Sequence, residues 1–356
     1  MTPQPSPNDP SGPVALDLIT VGRVNLDLYS QQIGAPFREV TGFEAMVGGS
    51  PTNIAIGTAR LGLRSAAFTA VGEDQVGDLI LHRLACDGVD TRFVLRKPGH
   101  LSSLALLGVE PPDHFPLMFY RIDPADIHLT VEDAASLPLS GTRAIQHSGN
   151  AFSRGDCARA AQWLVEEAHR LGMSSFLDLD MRPAEWADHL DYGRAMRSAI
   201  PGVEVVIGTY EELWSALAPD PGPSLTHGPL TEEQRQWVEA TAADLAGAEG
   251  GPSTVVLKRG ADPTWLFHSD GSHQEVPGYR AEVVNTVGAG DSFASGLIYS
   301  RMTGQEWNES ISFANACGAL TVGRAGCSTA FPTLGEVNDF RSRFDRQQPK
   351  LTEESS

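Results

Sequence analysis

Short runs of β-branched and other apolar residues alternate with longer runs of helical composition over most of this chain, and that alternation restricts the fold more than any other feature. Strand-type runs cover Leu16–Val21, Ala66–Val71, Arg143–His147, Ser174–Leu179, Val203–Ile207 and Thr254–Leu257. Helix-type runs cover Pro51–Leu61, Gln75–Asp87, Asp156–Leu171, Thr231–Ala246 and Ala289–Thr303. Strands joined through helices pair in parallel, and both faces of the sheet are then covered by the helices. The predicted class is therefore α/β, with a central, mainly parallel sheet between two helical layers.

Two stretches break the alternation. Val24–Val47 and Phe93–Arg121 read as strands and turns without intervening helices, which predicts a small second sheet lying as a lid over the ends of the main strands. With 356 residues the chain suffices for one large α/β domain or two modest ones. We expect one domain over residues 14–345, with lid inserts at about 24–47 and 93–121, and a flexible tail over 346–356. Met1–Pro13, rich in Pro, Ser and Asp, reads as a disordered leader, and Asp220–Pro229 as a Pro/Gly-rich surface loop. No run approaches the roughly 18 apolar residues of a membrane span, and the start lacks a signal region, so a cytoplasmic location is expected.

The 45 acidic residues outnumber 26 basic ones, a net charge of −19, which argues against nucleic acid or an anionic membrane as partner. An anionic small molecule then needs a local cluster of cationic side chains or backbone N–H groups, helped by a divalent cation. Cys86, Cys157, Cys317 and Cys327 have neither disulfide-like nor zinc-like spacing, so free thiols are expected.

The densest chemistry lies in Asn285-Thr286-Val287-Gly288-Ala289-Gly290-Asp291-Ser292-Phe293. Glycines around one alanine let the chain turn tightly and gather N–H groups at the start of an apolar helix, where the dipole favours a phosphate or a developing negative charge. Asp291 would repel a phosphate there unless it accepts a proton from an attacking hydroxyl. Taken alone, Asp291 is equally well read as a helix cap. Upstream, Gly22-Arg23-Val24-Asn25-Leu26-Asp27 follows the first strand and ends in an acid suited to paired hydroxyls or to a turn. Gly48-Gly49-Ser50-Pro51-Thr52-Asn53 opens a helix whose first turn holds Pro51 and whose Asn53 amide suits sugar hydroxyls.

Gly48-Gly49-Ser50-Pro51-Thr52-Asn53-Ile54-Ala55, with Arg60-Leu61-Gly62 behind it, and Gly288-Ala289-Gly290-Asp291 together resemble the two signatures of the ribokinase-like (PfkB) carbohydrate kinases. The resemblance covers roughly residues 16–343. Within that family the chain is most similar to the 5-dehydro-2-deoxygluconokinases of inositol catabolism, through stretches such as Asp27-Leu28-Tyr29-Ser30, Glu110-Pro111-Pro112-Asp113, Phe119-Tyr120-Arg121 and Asp178-Leu179-Asp180-Met181-Arg182-Pro183. The resemblance implies a ribokinase-like three-layer fold and ATP-dependent phosphorylation of a sugar acid's primary hydroxyl. Other kinases of the family, acting on 2-keto-3-deoxygluconate, fructose or ribose, are the nearest alternative. A silent sugar- or nucleotide-binding regulator is the alternative of another class, and a dinucleotide oxidoreductase the weakest, because the glycine spacing is not a Rossmann fingerprint.

Residue by residue, the resemblance implies that Asp291 is the base and that the N–H groups around Gly288, Ala289 and Gly290 hold the transferring phosphoryl group. Asp27, Gly49 and Asn53 would bind the sugar, while Arg121 on the lid and Arg182 would meet its anionic end. An arginine in Arg121's place can also be an ordinary surface residue. Lys258 and Gly260 would lie beside the ATP phosphates and ribose, with a salt-bridged Lys258 as the other reading, and Asn315 would line the adenine pocket. Glu212, in an element where Thr209 replaces the family's Asn, would serve magnesium. Asn285 stands where many relatives carry an Asp that helps bind a monovalent cation, so the resemblance implies ATP and magnesium and leaves potassium open. Exposed lid edges are expected to favour a homodimer.

Overall fold

The computed structural model describes residues 15–108, 116–222 and 229–347. The predicted leader, the Glu110–Asp113 stretch, most of the Pro/Gly-rich loop and the tail beyond Gln347 lie outside them. The strands in chain order are Leu16–Val21 (β1), Asn25–Ser30 (β2), Phe43–Gly48 (β3), Ser65–Val71 (β4), Val94–Arg96 (β5), Leu104–Leu107 (β6), Leu117–Tyr120 (β7), Thr142–Ser148 (β8), Ser174–Asp178 (β9), Val205–Thr209 (β10), Thr254–Lys258 (β11), Thr264–His268 (β12) and His273–Val276 (β13). The main helices are Ser50–Leu61 (α1), Gln75–Cys86 (α2), Gly155–Leu171 (α3), His189–Ala199 (α4), Tyr210–Leu217 (α5), Glu232–Gly247 (α6), Ala289–Met302 (α7), Trp307–Val322 (α8) and Leu334–Gln347 (α9).

A nine-stranded sheet runs in the order β13-β12-β11-β10-β9-β8-β1-β4-β5. Pairing is parallel from β5 through β11, and antiparallel between β11, β12 and β13. One core packs α3, α4, α5 and α6 against one face through Leu164, Tyr192, Leu213 and Val238. A second packs α1, α7 and α8 against the other through Ile54, Leu297 and Ile311. β1 is buried along its whole length, so its near-continuous apolar run suits a strand covered on both faces.

The four-stranded second sheet has the order β3-β2-β6-β7. Of the two stretches expected to build the lid, Val24–Val47 supplies β2 and β3, whereas only the later part of Phe93–Arg121 joins them: Val94–Arg96 pairs with β4 and closes the edge of the main sheet. The order of the main strands reverses at β1, whose neighbours are β4 and β8, and open α/β sheets place ligands at such a switch point, outside the carboxyl ends of the strands. All four cysteines are free, Cys86 exposed and the others buried. No helix among the described residues is long and apolar enough to cross a membrane.

Candidate active site

The carboxyl ends of β1, β8, β9, β10 and β11 and the starts of α1 and α7 converge at that switch point. α7 begins at Gly288, whose φ of 84° is left-handed and whose Cβ, if it had one, would lie 2.7 Å from Cys327 Sγ. Both the turn and the packing therefore require glycine. Among the described residues no backbone carbonyl accepts from the N–H of Gly290 or Asp291, while Ala289 N–H reaches Thr286 O at 3.3 Å. These amides point their donors and the helix dipole toward one place, which fits a phosphoryl oxygen. The Lys258 ammonium faces the same turn, for a Cβ on Gly290 would lie 3.6 Å from Lys258 Nζ.

Asp291 does not cap its helix: Gly288 is the cap, without a side-chain hydrogen bond. Its carboxylate instead accepts from Asn53 Nδ2 at 2.8 Å, across 238 residues of sequence. Burial and the charge of Asp180 push the Asp291 carboxyl above its ordinary range, and Asn53 and Arg182 oppose that shift. A carboxylate so placed is a stronger proton acceptor than one in water.

Asp27 projects from β2 of the lid, and its Oδ1 is buried without a partner. A Cβ on Gly48 would sit 1.9 Å from Asp27 Oδ2, so the first glycine of the Gly-Gly pair makes room for this carboxylate. Gly49, with φ of 102°, packs its α-carbon where a Cβ would meet the Arg23 carbonyl at 2.4 Å. With Asp27 expected to bind the sugar, replacing Gly48 with Ala should displace the Asp27 carboxylate and lower kcat/KM for the sugar by about 100-fold, with ATP affinity retained. A kcat/KM within threefold of the parent would disprove this account of Gly48.

Burial holds the Asp27 carboxyl up, at about 6, with Arg23 and Asn25 pulling it down and Asp291 pushing it up. An Asp raised in this way is protonated below about pH 6, which turns one of its oxygens from an acceptor into a donor and weakens the expected acceptance from two sugar hydroxyls. The kcat/KM for the sugar should accordingly fall as pH drops through about 6, well above the usual carboxylate midpoint of roughly 4. A profile flat down to pH 5 would contradict it.

Lys258 lies 3.3 Å from Asp178 Oδ2 and 3.7 Å from Glu212 Oε2. Against burial, which lowers it, Asp178 and Glu212 hold the ammonium above its ordinary range, so it is charged. Glu212 also closes a capping box on α5, accepting from Thr209 N–H at 2.8 Å. The Thr209 hydroxyl completes the box by accepting from Glu212 N–H at 3.2 Å, a cap that an Asn side chain could also supply. Gly260 turns with φ of 64° just past β11. The Asn315 amide is committed to the sheet edge, accepting from Thr264 Oγ1 at 3.0 Å and donating to Pro277 O at 3.1 Å. Asn285 donates to Gly326 O at 2.9 Å and accepts from Val287 N–H at 3.0 Å, and an Asp could not make the first of these bonds.

The two arginines differ. Arg182 leaves 45% of its side chain exposed and pairs with Asp180 at 2.9 Å. Arg121 is buried under the lid, bidentate to Asp126 at 2.8 and 3.1 Å, with Nε on Glu185 at 2.9 Å and Nη1 on Asn25 Oδ1 at 3.0 Å. The picture of a lid guanidinium open to the substrate therefore needs correction, because nearly all its donors are occupied by the protein. Residues not singled out from the sequence also converge here: Arg23, Asn150, Asp178 and Asp180. Asp178 and Asp180 are two apart at the end of β9, and Asp180 has a φ of 30°, rare for a side chain other than glycine.

A family model described as pfkB family carbohydrate kinase matches residues 15–334. The chain belongs to the pfkB carbohydrate kinase family. Like other pfkB members it is a carbohydrate kinase, and its similarity to individual members runs nearly end to end. It is 31% identical to the 5-dehydro-2-deoxygluconokinase of Geobacillus thermodenitrificans over 94% of this chain and 95% of that protein. Among solved pfkB-like structures it superposes on a ribokinase II from E. coli in complex with ATP and Mg2+ with a TM-score of 0.76 at 22% identity, covering 92% of this chain and 99% of the other. A fructokinase with bound ATP from Xylella fastidiosa gives 0.74 at 24% identity, with the same coverages of 92% and 99%. The architecture is the ribokinase-like fold.

Proposed function

We propose that this kinase transfers the γ-phosphoryl group of ATP to the primary hydroxyl of a keto-deoxy sugar acid, with 5-dehydro-2-deoxy-D-gluconate as substrate and its 6-phosphate as product. The observation that carries the reaction is the Asn53–Asp291 contact at the mouth of the Gly288–Gly290 turn, which puts a base beside free phosphoryl-binding amides. The acid substrate is supported by the partly exposed Arg182 and by the kinship with enzymes named for that acid.

Asp291 takes the proton of the hydroxyl as its oxygen attacks phosphorus in line, and ADP leaves. Asn53 orients the carboxylate, and the amides of Gly290 and Asp291, with Lys258 opposite, receive the charge on the phosphoryl oxygens. Asp178 and Glu212 offer the hard oxygen donors magnesium requires, beside Lys258, so the site fits that ion. Magnesium would supply charge neutralisation across the nucleotide's phosphates. Asn285 offers only an amide oxygen already bonded to Val287 N–H, so turnover is expected to be indifferent to potassium.

An ATP-consumption screen over keto-deoxy acids and neutral sugars tests the substrate class. Turnover with 5-dehydro-2-deoxygluconate above all others is expected, and preference for fructose or ribose over every acid would overturn the reading.

The lid's outer strand β7 leaves Leu117, Met118 and Tyr120 exposed on an edge with no strand partner among the described residues, and a second copy of the chain is the proposed cover. Sedimentation should give a dimer at micromolar concentration, and a monomer at all concentrations would remove the proposal.

A further inference from the structure

Between the carboxyl ends of β1 and β8, beneath the lid, a cavity of about 10 Å³ is lined by Arg23, Arg121, Asp126, Asn150, Arg154 and Cys157, among others. It lies at the pair of strands where the sheet order reverses. Its charges do not balance evenly. Arg121 has Asp126 through two bonds and Glu185 through a third. Arg182 has Asp180, and the partly exposed Arg154 donates to the carbonyls of Arg121 and Ile122.

Arg23 is the most weakly paired of the buried cations. It is 6% exposed, and its ion pair is a 3.4 Å share of a Glu185 oxygen that Arg121 already holds at 2.9 Å. Its Nε has no partner among the described residues. Beside it Asn150, also 6% exposed, donates Nδ2 to Asp180 at 3.2 Å while its Oδ1 is left without a donor. A buried guanidinium with a long, shared ion pair and an unbonded Nε, and a buried amide oxygen lacking a donor, are both costly, and two such groups lining one cavity describe the ligand that would relieve them. It carries a carboxylate for the first and a hydroxyl for the second.

The cavity as it stands has room for about one water. The ring of Phe119 on β7 covers the Arg23 guanidinium at 5.2 Å, so a carboxylate can reach Arg23 only if that ring moves aside. The Arg23 carbonyl packs against Gly49 at the start of α1, and Asn53 in the first turn of that helix donates to Asp291 at 2.8 Å, so the cavity and the base flank the same helix start.

We propose that Arg23 and Asn150 form the subsite for the acid end of the substrate: Arg23 binds the carboxylate through its planar fork, and Asn150 Oδ1 accepts from a nearby hydroxyl. Arg121 is then a positioning residue, holding Glu185 and Asp126 while Arg23 meets the ligand. The inference rests on the sugar-acid reading above and deepens it.

The test uses the full chain with Arg23→Met and Arg23→Lys. With 5-dehydro-2-deoxygluconate as varied substrate, Arg23→Met should raise KM about 30-fold or more, with a smaller effect on kcat and little on the KM for ATP. Arg23→Lys keeps the charge but loses the fork, and should raise KM about tenfold. In a thermal shift without nucleotide, the acid should raise the Tm of the parent but not that of Arg23→Met. A KM within threefold of the parent in a folded Arg23→Met would overturn the subsite. If Arg23→Met fails to fold, a parental KM in Arg23→Lys overturns it instead. A parent enzyme that phosphorylates neutral sugars and no acid would remove the substrate reading itself, and the subsite with it.

Discussion

Asp291→Asn should lose about 10²- to 10⁴-fold in kcat, the range a positioned general base supplies, while binding of ATP persists. The substitution keeps the shape of the side chain at the start of α7, so the Gly288 turn and its free amides are undisturbed. What disappears is the carboxylate proposed to accept the hydroxyl proton at the mouth of the cradle. Asn53, which now donates to Asp291, can turn its amide to meet the new one, so the cost falls on chemistry rather than folding. Steady-state turnover with calorimetric titration of a non-hydrolysable ATP analogue separates the two. Turnover within tenfold of the parent would exclude Asp291 as the base.

Arg121→Met should instead cost stability, about 3–5 kcal/mol, because it strips the cation from a buried group of acids. Asp126 would lose both of its guanidinium bonds and keep the Val24 N–H at 3.0 Å. Glu185 would keep only the longer contacts to Arg23 and Arg154, at 3.4 and 3.8 Å. Urea unfolding measures the loss. A variant of unchanged stability that no longer distinguishes acids from neutral sugars would return the acid-binding role to Arg121.

The contrast between these two residues says what the sequence could reveal. Local patterns carried the frame: β1 runs from Leu16 to Val21 as expected, and α1 and α7 start within one residue of their predicted positions. β10 is shifted two residues later than predicted, because Gly208 and Thr209 look like turn residues. Gly208 is there for packing, since a Cβ would lie 2.6 Å from Leu179 Cδ1. The antiparallel pair β12–β13 was overlooked although Asp270-Gly271 marks its turn, with Gly271 at φ of 81°. Within the site, Asp291 and the glycines were legible because one short segment holds them. The burial of Arg121 was not, since Glu185 is 64 residues away and nothing local marks it as a partner.

The place of β1 in the sheet bears on how the chain is made. β1 leaves the ribosome before the other described strands, yet it is flanked by β4 and β8, and its partner residues on β8 run from Thr142 to His147. At the usual pace of synthesis, roughly 5–20 residues per second, the strand waits several seconds or more for that second neighbour. During that interval the nascent chain presents an apolar strand with one side open, and chaperones that hold such strands should influence yield far more than the folded enzyme's stability would suggest.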